Sequence, residues 1–67
     1  MAKIQLNGRK ITIKTGSSIS AILKKYKLDS RKIAIEYNGK IIQRTNYSKK
    51  FLKKNDVLEI VHFIGGG

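Results

Sequence analysis

The sequence has no cysteine, no tryptophan and no proline among its 67 residues. The lack of cysteine excludes disulfide bonds, a Cys-x-x-Cys redox pair, thiolate zinc ligands and a cysteine nucleophile. A glycine-rich phosphate-binding loop, a G-x-G-x-x-G dinucleotide motif and a cluster of metal ligands are also missing. We therefore expect the chain itself to bind no cofactor and no metal.

Long apolar runs are missing too. The first ten residues, MAKIQLNGRK, lack the apolar segment of ~7–15 residues and the cleavage site of a secretory signal. No stretch approaches the ~20 apolar residues needed to cross a bilayer as a helix. We expect a soluble, cytoplasmic protein with no membrane partner, or a protein of an organelle stroma if its gene is plastid-encoded.

Acidic residues are few. The chain has four Asp and Glu residues and 15 Lys and Arg residues, which gives a formal net charge of +11. Such a charge is typical of modules that bind nucleic acid. Twelve of the fifteen basic residues are lysines scattered through every segment, whereas base recognition favours arginine forks and stacking aromatics. A nucleic-acid partner is therefore not our first interpretation, and a basic nucleic-acid-binding module stays open as an alternative of another class.

The first part of the chain predicts a hairpin. Apolar and polar residues alternate over residues 3–6 and again over 10–14, and the dipeptide Asn7-Gly8 stands between them. Asn-Gly between two alternating runs is a strong hairpin signal, because both turn positions tolerate positive φ. Strands one and two are therefore predicted to be paired, antiparallel and half buried.

The spacing then changes to that of a helix. An apolar stripe recurs at i, i+3, i+4 and i+7 with lysines opposite, which predicts an amphipathic helix of about three turns. Ser17 or Ser18 is the candidate amino-terminal cap. The stripe consists of Ile19, Ile22, Leu23 and Tyr26.

The second half predicts further strands at 33–37 and 40–42, joined by a second Asn-Gly turn. Residues 43–54 have no clear period, and we expect a turn of helix near 45–48, anchored by Phe51 or Leu52. Aspartates at turns are usually turn formers, and isolated glutamates are usually surface charges. These interpretations apply to Asp29 and Asp56, and to Glu36 and Glu59, respectively.

The last predicted strand, VLEIVHFI at 57–64, is the most apolar segment. An edge strand would not be so continuously apolar, so we place this strand centrally, beside strand one. One helix across one face of such a sheet defines a ubiquitin-like β-grasp fold of the α+β class, with a mixed sheet of four or five strands. We expect a single domain at 1–64 followed by a flexible glycine tail at 65–67.

Alternation along the last strand predicts its two faces. Leu58 and Ile60 share one face with His62, and a lone histidine without a nucleophile or a paired carboxylate is interpreted as structural, not catalytic. The opposite face, away from the helix, is interpreted as a partner-docking surface. The alternative is that the 43–54 segment covers part of it. The docking residues are Val57, Val61 and Phe63, with Ala34 nearby.

The sequence ends in Gly65, Gly66 and Gly67. Glycine has no side chain to pack and the largest entropy to lose, so this segment contributes little to a core. A triglycine end alone is typical of a frayed terminus. Extended, three residues reach about 10 Å, enough to project a terminal group beyond a globular body.

Joined to a β-grasp pattern, this terminus resembles the ubiquitin-like sulfur carriers, and most closely the ThiS family of thiamine biosynthesis. The resemblance covers the whole length, through LNGRKI, SISAILKKY, IAIEYNGKIIQR and NDVLEIVHFIGGG. Gln43 departs from it, because many relatives have a proline before the arginine that Arg44 matches. The small subunits of molybdopterin synthase are similar but tend to be longer.

The resemblance implies a chemistry for Gly67. Its carboxylate would be adenylated with ATP by an E1-like adenylyltransferase of the ThiF type, then converted to a thiocarboxylate with sulfur from a donor system. A thiazole synthase of the ThiG type would receive that sulfur, or another acceptor such as molybdopterin in the alternative. The chain would be a protein co-substrate and not an enzyme, with ATP bound by the partner and Gly65, Gly66 and Gly67 threading a narrow channel.

Overall fold

The computed structural model describes residues 1–63, which form a five-stranded sheet crossed by one α-helix. The strand order is β2-β1-β5-β3-β4; β1 and β5 are parallel, and every other pair of neighbours is antiparallel. This is a β-grasp sheet with the last strand central beside the first, as predicted. The elements are β1 (Ala2–Leu6), β2 (Arg9–Ile13), α1 (Ile19–Lys25), β3 (Ile33–Tyr37), β4 (Lys40–Ile42) and β5 (Val57–His62), with short 3-10 turns at Ser30–Lys32 and Arg44–Asn46.

Both Asn-Gly dipeptides form the predicted hairpin turns. Asn7 and Gly8 have φ values of 50° and 79°, and Asn38 and Gly39 have 50° and 86°. Positive φ at both central residues defines a type I′ turn, whose twist matches that of the flanking strands. The registers of both hairpins follow from these turns, since Leu6 pairs with Arg9 and Tyr37 pairs with Lys40.

Helix α1 is shorter than the predicted three turns. Ser18 caps its amino end, its Oγ accepting a hydrogen bond from the Ala21 N–H at 3.1 Å. Lys27 adopts φ 57° and the Leu28 N–H bonds to the Leu23 carbonyl at 2.8 Å, a left-handed carboxyl-terminal cap that ends the helix at Lys25. Tyr26 therefore lies past the last helical residue and is 42% exposed, so its predicted place in the buried stripe is wrong.

The core lies between α1 and one face of the sheet. Residues 43–52 close one end of it, because Tyr47 and Leu52 are buried there. Of the two predicted anchors it is Leu52 that packs inside, whereas Phe51 is 61% exposed. The short 3-10 turn begins one residue earlier than predicted and ends two residues earlier, at Asn46. The buried apolar residues are Ala2, Ile4, Ile13, Ile19, Ile22, Leu23, Ile33, Ile35, Tyr47, Leu52, Leu58 and Ile60.

Between residues 1 and 63, no helix has the length and apolar character needed to cross a membrane.

Candidate functional site

The backbone remains hydrogen-bonded to the rest of the fold one residue beyond the end of β5. The strand ends at His62, but the Phe63 N–H still donates to the Lys32 carbonyl at 2.9 Å. Lys32 closes the 3-10 turn that Asp29 caps, since the Asp29 carboxylate accepts from the Arg31 N–H at 2.9 Å. The chain is therefore anchored up to Phe63, two residues before the glycine segment begins in the sequence.

The outer face, which we define as the sheet face away from α1, carries exposed apolar side chains near this anchor. Val61 and Phe63 are 59% and 58% exposed, and Ala34 pairs directly with Val61. Residues 43–54 leave Val61 and Phe63 open. These three predicted docking residues form one continuous patch, while their role in docking remains a prediction.

Val57 belongs to the same face but is separated from that patch. It pairs with Gln5 of β1 and is half-buried at the opposite end of β5. At ~3.3 Å per residue, four residues of strand separate it from Val61 by about 13 Å. Ile41 of β4, which the sequence interpretation missed, is 78% exposed and pairs with Glu36. Ile41 lies in the short segment KII, which has no apolar–polar alternation to indicate the sheet face that each side chain occupies.

Two glutamates lie between these apolar groups. Glu36 on β3 and Glu59 on β5 are direct cross-strand partners, and both are exposed. They are surface charges, as predicted, but their juxtaposition depends on β5 pairing with β3. Within residues 1–63, the ion pairs are Arg31 with Asp29 and Lys53 with Asp56, so neither glutamate has a cationic partner.

Asp56 closes a turn, as predicted, since its N–H donates to the Lys53 carbonyl at 3.1 Å, but its side chain has a further structural role. It is 3% exposed, and its carboxylate accepts hydrogen bonds from the Tyr37 hydroxyl at 2.8 Å, the Lys53 N–H at 2.9 Å and the Asn38 amide at 3.2 Å. Burial raises the pKa of Asp56, but these hydrogen bonds and the Lys53 charge outweigh it and hold the pKa below the ordinary aspartate value. The buried carboxylate orders the start of β5.

The two hairpin asparagines hold β5 from both sides. The Asn7 Oδ1 accepts from the Ile60 N–H at 2.7 Å, and its Nδ2 donates to the Ile60 carbonyl at 3.3 Å. On the other side, the Asn38 Oδ1 accepts from the Val57 N–H at 2.7 Å. These amides extend the hydrogen-bond ladders beyond the ends of β1 and β3, and thereby set where the central strand lies.

His62 and Asp29 offer no catalytic arrangement in the described part of the chain. His62 is exposed at the end of β5 and pairs with Ile33. Asp29 binds the Arg31 guanidinium at 3.1 Å, and this hydrogen bond, with one from the Arg31 N–H, lowers the pKa of Asp29 to about 2. No three His, Asp or Glu side chains within residues 1–63 could together hold a metal ion. The predicted reactive residues, Gly65, Gly66 and Gly67, lie outside the described residues.

The fold and the exposed end of β5 place this chain in the class of small ubiquitin-like β-grasp proteins. A solved structure of a ThiS thiamine biosynthesis protein from Geobacter metallireducens superposes with a TM-score of 0.83 at 24% identity, covering 97% of this chain and 99% of that one. The family model of the ThiS family matches residues 3–67. The chain belongs to the ThiS family.

Two relatives extend this comparison. The sulfur carrier protein ThiS of Bacillus subtilis is 38% identical over 65 residues, covering 96% of this chain and 98% of that protein. A thiazole synthase of Paramagnetospirillum magneticum is 37% identical over 65 residues, covering 97% of this chain. This chain spans only 20% of the length of that synthase.

Proposed function

We propose that this chain is the sulfur carrier of thiamine biosynthesis, with the Gly67 carboxylate as its reacting group. The observation that carries the proposal is the family match, which includes the glycine segment and runs through residue 67. The Bacillus subtilis relative, similar over 98% of its own length, carries the name sulfur carrier protein ThiS. The anchored end of β5 is compatible with this role, because it presents the following residues from a fixed point.

Activation is needed because a carboxylate is ionised at neutral pH and is a poor acyl electrophile. In the proposed first step, one carboxylate oxygen attacks the α-phosphorus of ATP on an E1-like enzyme of the ThiF type, forming an acyl-adenylate and releasing pyrophosphate. In the second step, sulfur from the donor, at the oxidation level of sulfide, attacks the acyl carbon. A C–S bond forms, the C–O bond to AMP breaks, and a thiocarboxylate remains.

The chain's own contribution is positional. It would supply the carboxyl group and a side-chain-free tail, and the partner would supply ATP binding, acid-base groups and the closed site. Glycine at 65, 66 and 67 would allow a narrow channel to accept the tail, because no Cβ widens the backbone. The chain would therefore be a co-substrate consumed and regenerated by other enzymes.

Thiazole synthase is the proposed recipient of the sulfur. The support is the synthase of Paramagnetospirillum magneticum, which contains a region similar to this chain within its own polypeptide. Two domains joined in one polypeptide have a high effective concentration relative to each other, which favours the encounter of a sulfur carrier with the enzyme that receives its sulfur. A molybdopterin-type acceptor has no comparable support among these relatives.

Intact-mass spectrometry of the protein from its native host tests the proposal. We expect a fraction of the protein with one sulfur in place of one oxygen, located at Gly67 by fragmentation. Incubation of the unloaded protein with the ThiF-type enzyme, ATP and a sulfide donor should produce the same species. A mature protein whose last residue is not Gly67, or one that never gains sulfur, would contradict the proposal.

Deletion of Gly66 and Gly67 provides the matched variant. The core of the fold is formed by side chains within residues 1–63, and glycine has no side chain to add to a core, so the variant should unfold with the same cooperativity and midpoint. Its exchange of pyrophosphate into ATP by the activating enzyme should be lost. An extension beyond Gly67 that is not cleaved should have the same effect, since an internal amide offers no carboxylate.

A further inference from the structure

The outer face combines exposed apolar groups with an opposed pair of carboxylates. Glu36 and Glu59 face each other across β3 and β5, and Ile41 continues the same row on β4. The next row towards the end of β5 contains Ala34 and Val61, followed by Phe63. The acidic pair therefore has apolar neighbours on two sides.

This pairing is unfavourable for the isolated domain. Like charges directly opposite each other on antiparallel strands are destabilising. The chain has twelve lysines, yet within residues 1–63 none of them forms an ion pair with Glu36 or Glu59. The other two acids are used internally, Asp29 by Arg31 and Asp56 by Lys53 and its hydrogen-bond donors. The two free carboxylates are thus concentrated at one point of a strongly basic molecule.

We propose that the outer face binds a protein surface that presents an arginine or lysine side chain between apolar side chains, and that this surface belongs to the thiazole synthase. The cation lies across Glu36 and Glu59, while apolar groups of the partner cover Val61 and Phe63. The inference rests on the proposed function for the identity of the partner and on the outer face for its chemistry.

Charge complementarity selects this occupant. A guanidinium or ammonium group placed over the pair would remove the repulsion and form charge-assisted hydrogen bonds with both carboxylates. An acidic or purely apolar surface would instead desolvate two unpaired charges, which is costly. The acidic pair therefore contributes specificity, and the exposed apolar groups contribute buried area.

The test uses the full chain and the thiazole synthase of the same organism, with affinity measured by calorimetry. The Glu36→Gln/Glu59→Gln variant keeps the size of both side chains but removes both charges. It should bind the synthase about tenfold or more weakly, because a desolvated cation on the partner loses its counter-charge. The same variant should melt at a higher temperature than the wild type, since the repulsion is gone. Opposite effects on stability and binding would not arise from a merely damaged fold.

A charge-matched control separates this local effect from the overall charge. Thr15→Lys/Ala21→Lys changes the net charge by the same amount at exposed positions in the β2–α1 turn and on α1. This control should retain wild-type affinity within about twofold, since surface charges distant from a contact have small effects.

Five outcomes would overturn the inference. One is equal or tighter synthase binding by the Gln variant, and another is an equal loss of binding in the control. A third is a change confined to self-association, which would make a second copy of the chain the occupant. Wild type that forms the thiocarboxylate but does not bind the synthase would overturn the inference while leaving sulfur loading intact. Failure of the wild type at both steps would overturn the proposed function as well.

Discussion

Phe63 is the last residue that the structure describes, and Ile64 separates it in the sequence from the glycine segment. Its backbone N–H is held by the Lys32 carbonyl, whereas the residue as a whole is 58% exposed. A large exposed aromatic group next to a fixed backbone point is typical of an interface anchor.

Phe63→Ala should therefore affect binding more than folding. We expect the affinity for the thiazole synthase to fall by ~2 kcal/mol or more, because a protruding aromatic group that fills a partner pocket is a hot spot. The melting temperature should change little, because the ring lies outside the core. Both quantities should be measured on the same preparation. A large fall in melting temperature with unchanged affinity would show that Phe63 is a packing residue.

Asp56, just before the start of β5, is expected to affect folding more than binding. Its carboxylate is buried and fully used by three donors, so its loss leaves polar groups without partners. Asp56→Asn should lower the free energy of unfolding by about 1–3 kcal/mol, the usual cost of an unsatisfied buried polar group. The half-buried Asp29, changed to Asn, serves as the control and should have a smaller effect.

The same carboxylates predict how stability depends on pH. The folded-state pKa of Asp29 is about 2 and that of Asp56 is below its ordinary value, so below about pH 4 the unfolded chain binds more protons than the folded chain. Their stabilisation is complete above the unfolded pKa of ~3.9 and is lost as the pH falls through the folded values. Urea unfolding between pH 7 and pH 2 should show this decline, with a shallower slope in Asp56→Asn. An unchanged slope would assign the acid sensitivity to other groups.

At the scale of elements, the two Asn-Gly turns have a second function that their sequence pattern does not reveal. Each turn asparagine adopts positive φ and also directs its amide to the backbone of β5. The hairpins β1–β2 and β3–β4 are therefore each connected to the central strand by a side chain as well as by the sheet ladder. This arrangement places the end of β5 relative to both hairpins.

Aspartate substitutions test this second function while preserving the turn. Aspartate also tolerates positive φ but cannot donate from Oδ. In Asn38→Asp the new carboxylate would face Asp56, so we expect a loss of about 1–3 kcal/mol in unfolding free energy. Asn7→Asp loses the weaker 3.3 Å bond and should cost less. Asn55→Asp is the control, because Asn55 has φ 71° and its side chain makes no hydrogen bond within residues 1–63. Equal denaturation midpoints for all three would show that the amides are not needed.

At the scale of the whole molecule, the charge is diffuse while the contacts are local. The basic residues occur on the helix, on the strands and in the loops, and only Arg31 and Lys53 pair with acids within residues 1–63. A field of this kind attracts an acidic partner from a distance but specifies no contact. We therefore expect the charge to control the rate of encounter and the outer face to control selection.

Neutralising four lysines tests this division. Changing Lys24, Lys25, Lys49 and Lys54 to Gln should chiefly lower the association rate constant with the activating enzyme, which we expect to be acidic. Lys53 is retained because its ammonium group contacts Asp56 and Tyr37. Stopped-flow measurements should show the difference vanish at high salt, since the Debye length of ~8 Å at physiological ionic strength shortens further. A variant that differs only in dissociation rate would identify these lysines as contact residues.

The sequence alone determined the local features and the architecture. Period-two alternation, two Asn-Gly dipeptides and one apolar helical stripe correspond to β1, β2, β3, β4 and α1, because these patterns reflect interactions between near neighbours in the chain. The apolar run at 57–64 identified β5 as central, because a strand with neighbours on both sides has no edge to protect with polar groups. The predicted burial of Tyr26 was wrong, because the helix ends in a carboxyl-terminal cap in which Lys27 adopts a left-handed conformation. Glycine is the usual residue in such a cap, so a lysine there does not indicate the helix end.

Only the tertiary structure decided which distant residues meet. The burial of Asp56 depends on Tyr37, which precedes it by 19 residues, and the Asn7 amide bonds to Ile60, which follows it by 53 residues. The opposition of Glu36 and Glu59 depends on the register of β3 against β5, which a shift of one residue would abolish. Sequence patterns give each strand a buried and an open face, but register between strands distant in the chain is set by packing and hydrogen bonding in the assembled sheet. The acidic pair of the outer face is for this reason a property of the fold.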